Sequence, residues 1–334
     1  MTESGDYLEG DYIRTHEGLY FAVKGSRHPK EKVIAYLRYR PNIKGDREKD
    51  GVKYTRMYSI EKTTKFLKEK YPKYLNKISW LDDELQSVPL EDIDTVFKPT
   101  PRLKEIIETP KTSLDCKVKR FVETLSKKSS VPIEFFGVSG SLLIGLNNPD
   151  SDIDINVYGY SEGRKVYETL KELRERLDWI HPYNPDTVQN VLRSRWGDTG
   201  LNLKKFVKTE INKTLHGLVE DTDYFIRLII TEPNSSKVTQ RGESRIRGII
   251  SDSTNAIFTP CSYNIETMEI LGNYKKFQII ELKSYRGKFT EQSVEGDYVE
   301  AKGQVEEVDT GRGKFFRLML EDKDDYLLPV EEFL

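Results

Sequence analysis

Cysteine is nearly absent. Cys116 and Cys261 lie in unrelated segments, which excludes a disulfide framework and a cysteine-rich zinc site. Histidine is scarce as well: His16, His28, His181 and His216 form neither an HExxH nor a paired ligand spacing. A catalytic metal would therefore have to be held by oxygen. No apolar run reaches the roughly 18 residues of a membrane-spanning helix, and the start MTESGDYLEG is acidic where a signal peptide is basic and then apolar. The expected location is the cytoplasm, with no membrane partner. The net charge is only -2, which excludes a uniformly basic coat for nucleic acid but not a local basic stripe. Three runs qualify: Lys117, Lys119, Arg120, Lys127 and Lys128; Arg193, Arg195, Lys204, Lys205 and Lys208; and Arg241, Arg245 and Arg247. Glu123 and Glu210 dilute them, so each reads first as a solvated face.

Charge of both signs is abundant, at 32% of residues against about 25% in an average globular chain. A length of 334 residues exceeds what one hydrophobic core serves and predicts two or three domains. Residues 1–98 read as a β-rich domain with one helix: strands in DYIRT, LYFAVKG and KVIAYLRYRP, a surface loop NIKGDREKDG, a strand VKYTRMY, and a helix IEKTTKFLKEKYPKYL capped by Ser59. Residues 99–232 alternate helical and strand patterns, and residues 233–334 read as short strands with glycine turns, a small barrel or sandwich possibly packed with the N-terminal segment. The words EGDY at 9–12 and 295–298 repeat, which we read as shared strand-entry chemistry.

Between strands IEFFGV and DIDINVYG lies the sequence's most informative stretch, GVSGSLLIGLNNPDSDIDINVYG. Side chains alternate along a strand, so Asp152 and Asp154 share one face while Ile153 and Ile155 enter the core. Two carboxylates about 7 Å apart repel each other and call for positive charge; a Mg²⁺ ion, which takes carboxylates together with substrate phosphates, supplies it. Gly140-Ser141 stands where a strand turns into a short helix, so that the hydroxyl and turn amides face phosphate oxygens. The next helix, EGRKVYETLKELRERL, carries the apolar stripe Val166, Leu170, Leu173 and Leu177 and opens with Arg164 and Lys165, candidate phosphate contacts or simply its solvated first turn. His181 reads as a loop residue, and Trp179, Tyr183 and Trp196 as packing aromatics.

Gly140-Ser141, ten residues, then Asp152-Ile153-Asp154-Ile155 resembles the signature of the DNA polymerase β-type nucleotidyltransferase superfamily. The resemblance covers about residues 115–232. The whole chain is also similar to an archaeal group of predicted nucleotidyltransferases, through GDYIRTHEGLYFAVKG, the central motif and SYRGKFTEQ. The resemblance implies an α+β fold, a small mixed sheet with flanking helices, here joined by β-rich N- and C-terminal domains. It implies transfer of a nucleoside monophosphate (NMP) from a nucleoside triphosphate (NTP) to a hydroxyl, with pyrophosphate released and two Mg²⁺ ions, or Mn²⁺, held by three acids. Asp152 and Asp154 are two of them. The third belongs on a neighbouring strand, and in DTDYFIRLII the choice is Asp223, with Asp221 one pleat earlier as the alternative; the slot two before Arg227 holds Phe225.

Three functions fit these readings. The first is NMP transfer to RNA, tRNA-like in kind, with KFQIIELKSYRGKF as a basic and aromatic platform. The second is the same chemistry on a small molecule or a protein hydroxyl, and the third is a catalytically silent binding module. The oligomeric state is open.

Overall fold

The computed structural model describes residues 7–81, 83–231, 236–272 and 274–330. Among these it contains seven α-helices and three sheets, a mixed α and β architecture. The expected boundary at 232/233 lies outside the described residues. The chain groups into two compact units: Met1–Ser79, Asp83–Thr169 and Asp221–Ile226 form the first, and Trp80–Asp82, Leu170–Glu220 and Arg227–Leu334 the second.

The first unit opens with an antiparallel meander of β1 (Tyr12–Thr15), β2 (Tyr20–Val23) and β3 (Lys32–Pro41). Ile13, Phe21, Val33, Ala35 and Leu37 pack on one face, and Tyr12, Tyr20, Ala22 and Tyr39 on the other. Residues 42–51, expected to be open loop, instead contain β4 (Arg47–Lys49), which pairs with β5 (Val52–Arg56). Asp50 and Gly51 turn this hairpin at φ 51° and 76°. Two left-handed residues make the turn whose twist matches that of the strands, the usual Asp-Gly solution.

Ser59 caps α1 (Ile60–Lys70), its Oγ accepting from the Lys62 N–H at 3.2 Å. The helix stops short of the expected residue 75 because Pro72 has no N–H to continue it and opens a 3₁₀ turn. Then come β6 (Leu75–Ile78), β7 (Asp83–Pro89) and β8 (Ile93–Phe97); the sheet runs β4-β5-β3-β2-β1-β8, with β7 beside β3 and β6 beside β7.

After α2 (Pro99–Glu108), α3 (Ser113–Ser129) begins with a reciprocal capping box between Thr112 and Asp115. A 3₁₀ turn replaces the first half of the expected strand at 133–138 and leads into β9 (Phe136–Val138). Then follow α4 (Gly140–Ile144), β10 (Ile153–Tyr158), antiparallel to β9, and α5 (Tyr160–Arg176), whose Val166, Leu170 and Leu173 are buried.

In the second unit β11 (Ile180–His181) precedes α6 (Val188–Trp196) and α7 (Lys204–Asn212). Residues 216–219 form β12 (His216–Val219), which pairs with β11. The chain then enters β13 (Thr222–Ile229), whose residues as far as Ile226 belong to the first unit and the rest to the second. The remaining strands are β14 (Lys237–Asp252), β15 (Phe258–Thr259), β16 (Cys261–Ile270), β17 (Ile279–Ser284), β18 (Tyr298–Asp309), β19 (Lys314–Met319) and β20 (Tyr326–Pro329). Because the long β14 pairs with both β16 and β18, the order β14-β16-β17-β19-β18 closes on itself. β17 and β19 are parallel and the other barrel pairs antiparallel. A five-stranded barrel with this order and one parallel pair has the topology of an OB-fold. Ile246, Ile250, Tyr263, Leu282, Val299 and Leu318 fill it.

Candidate active site

The end of β9 is pinned to β10 by the Ser139 N–H, which donates to the Asp154 carbonyl at 2.9 Å. The next residue, Gly140, takes φ +60°, and a Cβ there would stand 2.1 Å from Asp154 Oδ2. Only glycine fits both demands, and its bare backbone lies directly against the carboxylate. Ser141 is buried, and its hydroxyl bonds to no described residue. The glycine-serine turn and the acidic strand are thus one site.

Ile153 and Ile155 are fully buried, as the alternation predicts. Asp152 stands one residue ahead of β10 and is half-buried. Asp154, expected on an open face, is 8% exposed, and Asn156 on the same side is buried against the backbone of Gly10. β10 is therefore covered on both sides along this stretch.

The β4–β5 hairpin clamps the loop that joins the glycine-serine turn to the acids. Arg47 Nη1 donates to Ser151 Oγ at 2.8 Å and to the Leu146 carbonyl at 3.3 Å, and Lys49 Nζ donates to the Ile144 carbonyl at 2.8 Å. Ser151 in turn closes the Asn147–Ser151 turn by accepting from the Asn148 N–H at 2.9 Å. Tyr12, Tyr20, Tyr39 and Tyr54 pack on Leu143, Ile144 and Leu146 beneath it. Sequence reasoning missed this contribution of the N-terminal sheet; the Asp50-Gly51 pair was the signal that would have shown the hairpin.

β13 is the neighbour of β10, the position expected of a third acid. Tyr224, Ile226 and Leu228 face the core, so Asp223, Phe225 and Arg227 share the other side, while Asp221 lies in the turn ahead of the strand. Asp223 is exposed. Asp221 is ion-paired with Lys117, whose Nζ also donates to Thr222 Oγ1 at 2.9 Å. On α5, Arg164 lies over the Tyr160 ring at 4.9 Å and donates to its hydroxyl at 2.9 Å, and Lys165 is exposed.

A family model described as a nucleotidyltransferase domain matches residues 116–216. An uncharacterized protein of Methanocaldococcus jannaschii, MJ1086, is 33% identical over 322 residues, which is 92% of this chain and 93% of that protein. The chain belongs to the polymerase β-like nucleotidyltransferase family. No solved structure matches it. The matched region holds Gly140, Ser141, Asp152, Asp154, Arg164 and Lys165 but ends before Asp221 and Asp223. A nucleotide is thus the substrate class, and nucleotidyltransferase domains generally work with divalent metals.

The residues present fit such an ion in part. Asp152 and Asp154 offer only hard oxygen, and ions of the Mg²⁺ type bind through one or two carboxylates together with substrate phosphates. Among the described residues, however, no group of three His, Cys, Asp or Glu side chains is gathered to hold a metal.

Part of the compensating charge belongs to the protein itself. Arg56, last residue of β5, pairs with Tyr39 across the sheet and lies over the Tyr58 ring, and its charge is favoured by the fields of Tyr39, Tyr58, Asp152 and Asp154. Burial opposes its charge, but these neighbours outweigh burial and hold the guanidinium protonated.

The basic runs elsewhere are matched in part. Arg241 pairs with Glu307, Arg245 and Arg247 with Glu300, and Arg195 with Glu210. In the segment expected to offer a nucleic-acid platform, Lys283, Lys288 and Phe289 are buried. Trp196 and Tyr183 are core residues, and His181 lies in a short strand instead of a loop. Among the described residues no helix is long and apolar enough to cross a membrane.

Proposed function

We propose that this protein transfers an NMP from an NTP to a hydroxyl acceptor in the cytoplasm, releasing pyrophosphate. One juxtaposition carries the reading: the bare backbone of Gly140 against the Asp154 carboxylate, with the uncommitted Ser141 hydroxyl one residue on. Ser141 and the turn amides orient the triphosphate so that the acceptor oxygen attacks the α-phosphorus in line, a mechanism of positioning and charge neutralisation. Asp152 and Asp154 would hold Mg²⁺, or Mn²⁺ in its place, with Asp223, exposed on the strand beside β10, as the third ligand. Bound there, the metal acidifies the attacking hydroxyl and neutralises the leaving pyrophosphate. Arg164 and Lys165 serve as phosphate contacts from α5. We keep 1–98, 99–232 and 233–334 as the division of roles.

RNA, tRNA-like in kind, is the first acceptor. Barrels with the order of β14 to β19 carry oligonucleotides and oligosaccharides in other proteins, an analogy of fold. The internal pairing of Arg241, Arg245 and Arg247 favours a second reading, a small-molecule or protein hydroxyl, because paired arginines release few counterions on binding a phosphate backbone. The ungathered third acid favours a third, the silent module.

The purified protein and its Asp152→Asn, Asp154→Asn variant are incubated with Mg²⁺, each labelled NTP in turn, and fractions of cellular RNA, protein and metabolites. Label transferred by the wild type alone establishes the reaction, and the labelled fraction gives the acceptor class. A wild type that binds Mg²⁺-NTP without transferring label to any fraction leaves the silent module.

A further inference from the structure

Arg56 is a charge of the first unit that the fold leaves unexplained. Among the described residues no hydrogen bond or ion pair engages its guanidinium, which lies 4.6 Å over the Tyr58 ring. A half-buried arginine normally matches its five-donor fork to a carboxylate, a phosphate or backbone carbonyls. Its cross-strand partner Tyr39 is 1% exposed, and the Tyr39 hydroxyl has no hydrogen-bond partner among the described residues. A buried hydroxyl without a partner costs about 1–3 kcal/mol and calls for an explanation. Two donors on adjacent strands are therefore unpaired together, the phenol buried and the guanidinium half-buried.

Their surroundings say what they face. The hairpin that ends in Arg56 grips residues 144–151 through Lys49 and Arg47, so its free end is fixed relative to Asp152. Asp152 and Asp154 both act on the Arg56 charge, and Asp154 acts on Tyr39 as well. Burial pushes the Tyr39 phenol well above its usual range, so it stays a neutral donor. Neither donor needs to be open if the cluster is merely a counterion arrangement. Both are needed if an anion enters beside the acids.

We infer that Arg56 and Tyr39 form a phosphate subsite supplied by the N-terminal sheet, taking oxygens of the nucleotide's phosphate chain next to Asp152 and Asp154. The subsite lies outside residues 116–216, the span of the nucleotidyltransferase match, and rests on the NTP reading above. Tyr58 holds the guanidinium plane by cation–π contact. The acids would then act on the ligand through a cation and the arginine directly.

The test uses the full-length protein and two probes that cannot be turned over: α,β-methylene NTP analogues and inorganic tripolyphosphate, each with Mg²⁺, titrated by calorimetry. Arg56→Met is expected to weaken both probes about tenfold or more, the loss of a charge-assisted bond worth at least ~1.4 kcal/mol. Arg56→Lys should recover part of that, since it keeps the charge and loses the fork. Tyr39→Phe should weaken binding a few-fold. If Arg56→Met does not fold, as its thermal melt would show, Arg56→Lys and Tyr39→Phe carry the test. Unchanged affinity in these variants, with loss in Asp152→Asn, Asp154→Asn, overturns the subsite and leaves the nucleotide reading standing. A wild type that binds neither probe overturns both.

Discussion

Two clusters of charge lie within this protein, one in each unit, and they are completed differently. In the second unit Glu210 is fully buried and accepts from Arg195 at 2.8 Å, Lys213 at 2.7 Å and the Trp196 indole at 3.0 Å. Lys213 also donates to the Lys288 carbonyl, and Glu291 accepts from the Thr214 and Leu215 N–H groups. Phe206, stacked 4.3 Å from Trp196, packs beside them. Burial pushes the Glu210 carboxyl up, yet Lys213 and Arg195 outweigh it and hold the group below its usual range. Both of its oxygens are answered from within. In the first unit the acids face a guanidinium and a phenol with donors left over. A cluster that only supports the fold answers its own polar atoms, whereas one that takes a ligand keeps some open.

The sharpest way to break this contrast is at its closed end. Glu210→Ala leaves Lys213, itself fully buried, without its carboxylate, and removing one partner of a buried pair costs roughly 3–5 kcal/mol. Urea unfolding should show that loss; a change near zero would mean the cluster is not the closed network described here. At the open end, Gly140→Ala places a methyl group on Asp154 Oδ2 at a left-handed position. The backbone alone costs about 1–2 kcal/mol, and the displaced carboxylate should weaken Mn²⁺ binding, read by its paramagnetic resonance. Wild-type metal affinity in that variant would separate Gly140 from the site.

How far the sequence reveals this contrast depends on how local each feature is. The Ser59 cap, the α5 stripe and the alternation around Ile153 are set by residues within a few positions and are found where the pattern places them, except that α5 ends at Arg176 and leaves the last stripe residue, Leu177, outside it and half-buried. The repeated EGDY shows where such reading stops. Both copies build the same turn, Leu8 N–H to Asp11 Oδ2 at 2.9 Å and Val294 N–H to Asp297 Oδ2 at 2.8 Å. Yet Gly10 is pressed against Asn156 beside the site, while nothing stands within 4 Å of a Cβ at Gly296. Local chemistry is common to the two copies and tertiary role is not. Arg56 is hidden for the same reason: it lies about a hundred positions from the acids in the chain, and sheet pairing and hairpin docking bring it to them. The burial of Asp154 is equally invisible, since strand alternation reports faces without saying what covers them.

The finest test of the contrast is a double-mutant cycle between Arg56 and Asp154. Because Arg56 is partly solvated, water screens its attraction to the acids, and Arg56→Met should cost no more than about 1 kcal/mol. The loss arises because Asp152 and Asp154 then repel each other without compensation. Asp154→Asn removes one of the two like charges, so on the Arg56→Met background it should restore stability, although alone it also discards an attraction. The pair should therefore couple, and the coupling should shrink as salt is raised. Glu210 and Lys213, sealed from solvent, should show coupling that salt leaves almost untouched. Equal salt sensitivity at the two clusters would remove the distinction between a closed network and a site built to receive charge.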